Sequence, residues 1–306
     1  MKKIIVKISE GLGNQLFMYA NAYSLSKTLG YNLLIDKESG YKDKHLKNIN
    51  PYLLDNFCIS ANLASKNDTS INKYDYIKNK LHKKIDFFKK KKSYIIEPRN
   101  KKTTFISYED YLKGMTYTNK IFVDGFFQSE KYFEKYINEI KNEFKFKNIH
   151  ENRLDININD LKDKSSVSIA VRTNRYNERS LNDLNNENKN NLSDQFTKKT
   201  IIYIEKAVEF FKKKIINPKF YVWSNDLTKL RSYFGGEFKF VNNIENKSIS
   251  DLYTMSLCSN FILGPSTFHW WGAYLSNNPN KICICPPKEL TFSSNLDIYP
   301  SSWIKF

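Results

Sequence analysis

The sequence predicts an α/β protein made of two doubly wound parallel-sheet domains, on three observations. A strand, a glycine turn and a helix open the chain and lead into a second strand. A polar stretch, residues 147–165, interrupts the pattern near the midpoint. Beyond it, short apolar strands alternate with helices as far as residue 285, the signature of strands laid parallel with helical crossovers. At 306 residues the chain can build two cores of ordinary size, and a hydrophobic content of 41% suits a folded protein.

The elements follow in order. Residues 3–8 read as a strand, Gly11-Leu12-Gly13-Asn14 as a glycine turn, and 15–29 as a helix with Met18, Ala22, Leu25 and Leu29 on one face. Gly30 terminates it, and residues 32–35 form a strand ending at Asp36. Residues 66–104 are polar and Lys-rich; Leu81, Ile85 and Phe88 share a helical face ringed by lysines. That helix fits an anionic membrane surface and fits equally a solvated helix with one buried stripe. Residues 121–127 read as a strand, and Ser129 caps a helix to about residue 144. In the second half, strands are expected at 167–171, 220–223, 238–241, 261–263 and 281–285. Helices are expected at 194–214, after Asp226, from Ser250 to about 258, and from Ser266 onward, with a loop at 177–193.

Composition narrows the function. Lys and Arg number 49 against 32 Asp and Glu, a net charge of +17, which suits an anionic ligand or an anionic membrane surface. The basic residues are dispersed and no nucleic-acid module is present, so nucleic acid is not an expected partner. No run approaches the about 20 apolar residues that span a bilayer, and the apolar start of the chain reads as a first strand. Cys58, Cys258, Cys283 and Cys285 have neither disulfide-framework nor zinc-ligand spacing, which points to a reducing cytoplasm. Gly11-x-Gly13 resembles a dinucleotide fingerprint, but Leu16 stands where its third glycine belongs. The P-loop, HExxH and GxSxG patterns are absent, as is an acidic metal cluster.

In open α/β sheets the ligand binds at the carboxyl ends of the strands. Here those ends carry Glu10-Gly11-Leu12-Gly13-Asn14-Gln15 in the first domain. In the second they carry Arg172, Ser224-Asn225-Asp226 and Gly264-Pro265-Ser266-Thr267-Phe268-His269-Trp270-Trp271-Gly272-Ala273. An arginine fork and the unpaired N–H groups of a helix N-terminus suit a sugar-nucleotide pyrophosphate, so the set reads as an anion site between two domains. Trp270 and Trp271 either wall a pocket beside that anion or pack into the core.

Gly11-Leu12-Gly13-Asn14-Gln15-Leu16-Phe17, Gly125-Phe126-Phe127-Gln128 and Ser266-Thr267-Phe268-x-Trp270-Trp271-Gly272-Ala273 occur in an order and spacing that resembles the bacterial α-1,2-fucosyltransferases, family 11 of the glycosyltransferases. Met255-Ser256-x-Cys258, Lys281 and Pro286 agree too. The resemblance implies a GT-B-like fold, with two Rossmann-like doubly wound domains facing a cleft. Residues 1–150 would form the acceptor-side domain with the glycine loop, and 151–306 the donor domain. It further implies a GDP-sugar donor, inversion at the anomeric carbon, and no required metal or other cofactor. One departure falls at 170–176. The family pattern His-x-Arg-Arg-Gly-Asp-Tyr is here Ala170-Val171-Arg172-Thr173-Asn174-Arg175-Tyr176. Glu10 replaces a usual glycine and His269 a usual serine.

Roles follow. Arg172 is the catalytic candidate, stabilising the departing diphosphate. Ser266 and Thr267 donate to it, Gly11 and Gly13 let backbone approach, and Asn14 reaches the phosphates or the acceptor; Ser224 joins the donor set. Asp251 either accepts from guanine, as the resemblance implies, or is a first-turn carboxylate favoured by the helix dipole after Ser250. His269 contacts donor or acceptor, or is a satisfied helix histidine. Glu10 and Glu178 are candidates for the general base. The expected activity is that of a galactoside 2-α-L-fucosyltransferase-like enzyme. It would transfer fucose from GDP-fucose to a hydroxyl of a surface-glycan precursor such as O-antigen, capsule or lipooligosaccharide. Transfer of another GDP-6-deoxy sugar or a GDP-heptose derivative, and an inert glycan- or nucleotide-binding relative, stay open. The expected location is cytoplasmic, with peripheral contact at the inner face of the membrane left open.

Overall fold

A computed structural model of the chain describes residues 1–41, 50–69, 85–86, 89–97, 112, 114–147, 149, 151, 154–173, 175–176, 186–245, 247–291 and 297–306. The contacts divide the chain into two compact units, Met1–Asn148 with Ser293–Pro300, and Ile149–Phe292 with Ser301–Phe306. The segment before the last six residues thus groups with the first unit.

The first unit contains β1 (Lys3–Lys7), α1 (Leu12–Leu29), β2 (Asn32–Asp36), β3 (Asn62–Leu63), β4 (Lys91–Ile96), β5 (Thr116–Asp124) and α2 (Ile137–Glu143). Its strands pair in the order β3-β2-β1-β5-β4, all parallel. The glycine turn is tighter than expected: Gly11 is the N-cap, and Gly13 and Asn14 already lie inside α1. Gly30 ends the helix at φ 68, donating its N–H to Ser26. Single-face patterning fails for α1, because Phe17, Tyr19, Ala20 and Asn21 are buried along with Met18, Ala22 and Leu25. Phe133 and Phe144 cover its far side, against Phe17 and Tyr19, so the helix is a core element rather than a surface one. The helix expected from Ser129 breaks into two 3-10 turns before α2, with Ser129 capping the first of them. Most of the Lys-rich helix at 81–88 lies outside the described residues; within it, Ile85 is exposed and Asp86 buried.

The second unit contains α3 (Ile158–Leu161), β6 (Ser166–Val171), α4 (Asn186–Lys214), β7 (Lys219–Ser224), β8 (Phe238–Phe240), α5 (Lys247–Leu257), β9 (Asn260–Ile262), α6 (Thr267–Tyr274), β10 (Cys283–Cys285) and β11 (Ile304–Lys305). The order is β11-β10-β9-β6-β7-β8, again parallel. One face of β6, Val167, Ile169 and Val171, packs in a core with Ile204, Ala207 and Phe211 of α4. Helix α4 starts eight residues earlier than expected, so part of the anticipated loop is helical. Helix α5 also starts early, at Lys247, which puts Ser250 inside it; its hydroxyl donates to the Glu245 carbonyl instead of capping. After Asp226 only a short 3-10 turn forms, Thr228–Leu230.

Trp270 and Trp271 are fully buried, and Trp270 stacks on Tyr274 (ring centroids 4.3 Å) beside Trp303, so both tryptophans are core and not pocket wall. Gly272 lets α6 approach α5: a Cβ there would lie 3.1 Å from Met255. In each sheet the strand order reverses once, between β1 and β5 and between β6 and β9. Such reversals open the crevice in which α/β sheets bind ligands.

Candidate functional site

The candidate residues Arg172, Ser266, Thr267 and His269 of the second unit fall at the β6/β9 reversal. Arg172 follows β6 directly and is half-buried, while Ser224 ends β7 in register with Val171. Beside them β9 runs out into Gly264-Pro265-Ser266. Ser266 is the N-cap of α6: its Oγ accepts from the Phe268 N–H at 3.2 Å, and Thr267 opens the helix. Gly264 is required by close approach. A Cβ would sit 2.2 Å from the Ala170 carbonyl and 2.6 Å from His269 Nδ1. The bare backbone therefore lets the His269 ring settle against the end of β6.

His269 is buried, and its Nδ1 makes no hydrogen bond of ordinary geometry among the described residues. Burial, and next the Arg172 guanidinium, hold its pKa down at about 3, with the Gly264 backbone acting the other way. The imidazole is thus neutral in the folded protein at pH 7. Because the folded value lies below the ordinary 6.5, His269 contributes stability in full above pH 6.5, and that contribution is lost as pH falls towards 3. His269→Gln is expected to flatten this acid limb, measured by urea denaturation at pH 7, 5.5 and 4.5.

Ser224 closes its own turn: its Oγ accepts from the Asp226 N–H at 3.1 Å and donates to the Asp226 carbonyl at 3.3 Å. Asp251 is buried on α5, four residues past its first residue, so it is no first-turn dipole carboxylate. Its carboxylate accepts from Asn243 Nδ2 (3.1 Å) and pairs with Lys247 Nζ (2.9 Å). Burial pushes its pKa up, opposed by Lys247 and Asn243. Trp223 Nε1 and Asn243 Nδ2 both donate to Thr254 Oγ1, completing a buried polar group beyond the ends of β7 and β8.

Two residues of the 170–176 stretch act as braces that sequence reasoning did not assign. Arg175 is buried, donates to the Pro265 carbonyl at 3.1 Å and lies over the Phe196 ring at 4.8 Å. Thr173 and Asn225 exchange hydrogen bonds of 3.0 and 3.1 Å, tying the ends of β6 and β7 together. Glu178 lies outside the described residues.

At the β1/β5 reversal the first unit gathers Glu10, Gly11, Gly13 and Asn14. Glu10 is exposed and adopts φ 65, the left-handed region where glycine is favoured. Its carbonyl is held by Gln15 Nε2 (2.8 Å) and the Tyr41 hydroxyl (3.4 Å), which fix the backbone there. Gly11 leaves room for Asn50, whose Oδ1 would be 3.4 Å from a Cβ. Asn14 is half-buried and accepts from Gln128 Nε2 at 2.9 Å. Glu97, which no local signal marks, accepts from the N–H groups of Phe126 and Phe127, each at 2.8 Å. Among the described residues no group of three or more His, Cys, Asp or Glu could hold a metal. No helix of the described residues is long and apolar enough to cross a membrane.

Two parallel, doubly wound sheets, each with a strand-order reversal, make a GT-B-like α/β fold. The family model for glycosyl transferase family 11 matches residues 3–306, and the chain belongs to that family. It is similar to an alpha-1,2-colitosyltransferase of Escherichia coli, 25% identical over 100% of this chain and 99% of the relative. The O-antigen biosynthesis glycosyltransferase WbnK of Escherichia coli is 31% identical over 33% of this chain and 35% of that protein. Among solved structures, a mutant of Arabidopsis thaliana FUT1 in complex with GDP superposes with a TM-score of 0.50 at 14% identity. That match covers 95% of this chain and 72% of the other.

Proposed function

We propose that the protein transfers fucose from GDP-fucose, with inversion, to a hydroxyl of a surface-glycan precursor. The observation that carries this reading is the placement of Arg172 beside the N-terminus of α6, with Ser266 and Thr267, at the β6/β9 reversal. As the acceptor oxygen bonds to the anomeric carbon, the bond from that carbon to the diphosphate breaks and GDP leaves. Arg172, Ser266 and Thr267 offset the charge that builds on the leaving diphosphate. In this reading the second unit binds the donor, with Ser224, Asp251 and His269 in the donor set, and the first unit serves the acceptor side. Gly11, Gly13 and Asn14 supply close backbone and a side-chain amide.

A general base takes the acceptor proton, and Glu10 is our choice for it. A left-handed backbone costs a non-glycine residue about 1–2 kcal/mol, and such strain collects at functional positions. Glu10→Gly is expected to raise stability by about 1 kcal/mol in urea denaturation while lowering turnover at least tenfold. A variant that gains stability at full turnover would remove Glu10 from the mechanism.

A second reading has colitose as the transferred sugar, favoured by the full-length match to the colitosyltransferase. Calorimetry with GDP and UDP tests the nucleotide; preference for UDP, or no binding of either, overturns the donor assignment. Mass spectrometry of lactose incubated with GDP-fucose or GDP-colitose then identifies the sugar, and no product from either favours a binding protein without activity. We place the reaction in the cytoplasm, with the basic surface (net charge +17) suited to contact with an anionic membrane.

A further inference from the structure

Around the β1/β5 reversal, three backbone positions adopt left-handed φ: Glu10 at 65, Gly125 at 152 and Phe127 at 51. The last two belong to one turn at the end of β5. Glu97, just past β4, spans that turn with both carboxylate oxygens, Oε2 to the Phe126 N–H and Oε1 to the Phe127 N–H. Gly125 is needed beneath this clamp, since a Cβ would lie 2.3 Å from Glu97 Cβ. Phe127 is buried against the edge of Tyr132, which anchors the turn from below. The turn delivers Gln128 to Asn14, whose Oδ1 accepts from Gln128 Nε2 at 2.9 Å.

An asparagine amide has one acceptor end and one donor end. With Oδ1 turned to Gln128, Nδ2 points the other way. It has no hydrogen-bond partner among the described residues.

We propose that Gln128 and Glu97 are positioning residues that set the Asn14 amide with its N–H groups presented to a ligand oxygen. Glu97 fixes the backbone of the turn, and Gln128 fixes which end of the Asn14 amide faces the ligand. The shared chemistry is an oxygen acceptor, either a phosphate oxygen of the donor or a hydroxyl of the acceptor sugar. This rests on the reading that Asn14 belongs to the substrate site.

Gln128→Glu is the informative change, because it is nearly isosteric and replaces the N–H donor with a carboxylate. Asn14 must then rotate to donate to residue 128, and its carbonyl faces the ligand. The expected result is a roughly tenfold loss, read either as weaker GDP binding by calorimetry or as a raised KM for lactose with GDP-fucose. A loss in GDP affinity assigns the oxygen to phosphate; a raised KM at unchanged GDP affinity assigns it to the acceptor. The loss should persist in 1 M salt, where the screening length is about 3 Å, and leave the melting temperature unchanged. Asn14→Asp should lower function similarly, and Glu97→Gln, which can no longer accept from both N–H groups, should do so more weakly.

NMR of the ligand-free protein gives an arm independent of activity: the Asn14 side-chain amide resonances should move in Gln128→Glu. Unchanged resonances overturn the proposal, as does unchanged binding and KM, or a loss that disappears in 1 M salt. A wild-type protein that neither binds GDP nor uses lactose would overturn the donor reading instead, and the resonances then decide the orientation on their own.

Discussion

Arg172→Ala is expected to lower turnover of GDP-sugar by roughly 10²–10³-fold while leaving the fold intact, as judged by circular dichroism and thermal melting. The size follows from where the charge sits. Arg172 follows β6 at its reversal with β9, near the N-terminus of α6, where it bears on His269 and where the helix carries partial positive charge. Removing a full charge from such a preorganised pair withdraws stabilisation that water would have to supply by reorganising. Arg172 is half-buried and lies past the end of β6, so its loss does not open the core. Arg172→Lys keeps the charge but not the planar fork, and intermediate turnover is expected. Steady-state kinetics with GDP-fucose check both variants, and full activity in the alanine variant would remove Arg172 from the chemistry.

Gly264→Ala is expected to have the largest effect on stability. The added methyl would meet the Ala170 carbonyl at 2.2 Å and the His269 ring at 2.6 Å, and only the ring belongs to a side chain that can rotate. Ala170 pairs with Trp223 of β7, directly after Ile169, the last β6 residue paired with β9, so its carbonyl cannot withdraw without disturbing the central ladder. We expect a loss of about 1–3 kcal/mol in urea denaturation, together with weaker GDP binding because the first turn of α6 is displaced. Adding His269→Ala relieves only the second clash, so the double variant should recover part of the loss. Full recovery would mean that the ring, and not the strand carbonyl, sets the constraint.

The alternation of strands and helices in the second half was legible because each strand is short, apolar and closed by a cap or a turn residue. Ser266 as N-cap and Gly30 as terminator were legible for the same local reason. Helix α1 was legible in place but not in burial: its single-face pattern gave no sign that Phe133 and Phe144, more than a hundred residues away in sequence, cover the other side. The early start of α5 turned Ser250 from a cap into an interior residue and took Asp251 out of the first turn. Sequence spacing favoured Ser250 as the start because a serine three residues into the helix has the same residue type as a cap. Strands β3 and β11 are two residues long, too short for any periodic signal.

By itself the sequence determined the class of fold, the family, and the strand-end residues Arg172, Ser266 and Thr267, because these rest on local patterning and on motifs in order. Tertiary structure alone decided that Trp270 and Trp271 are core and that the His269 imidazole is neutral. It also decided that Arg175 braces Pro265, that Gln128 donates to Asn14 and that Glu97 clamps the turn before Gln128. Each of these depends on which distant residue arrives at a given atom. Burial, charge and the satisfaction of a donor are properties of that meeting, and no single stretch of the chain contains them.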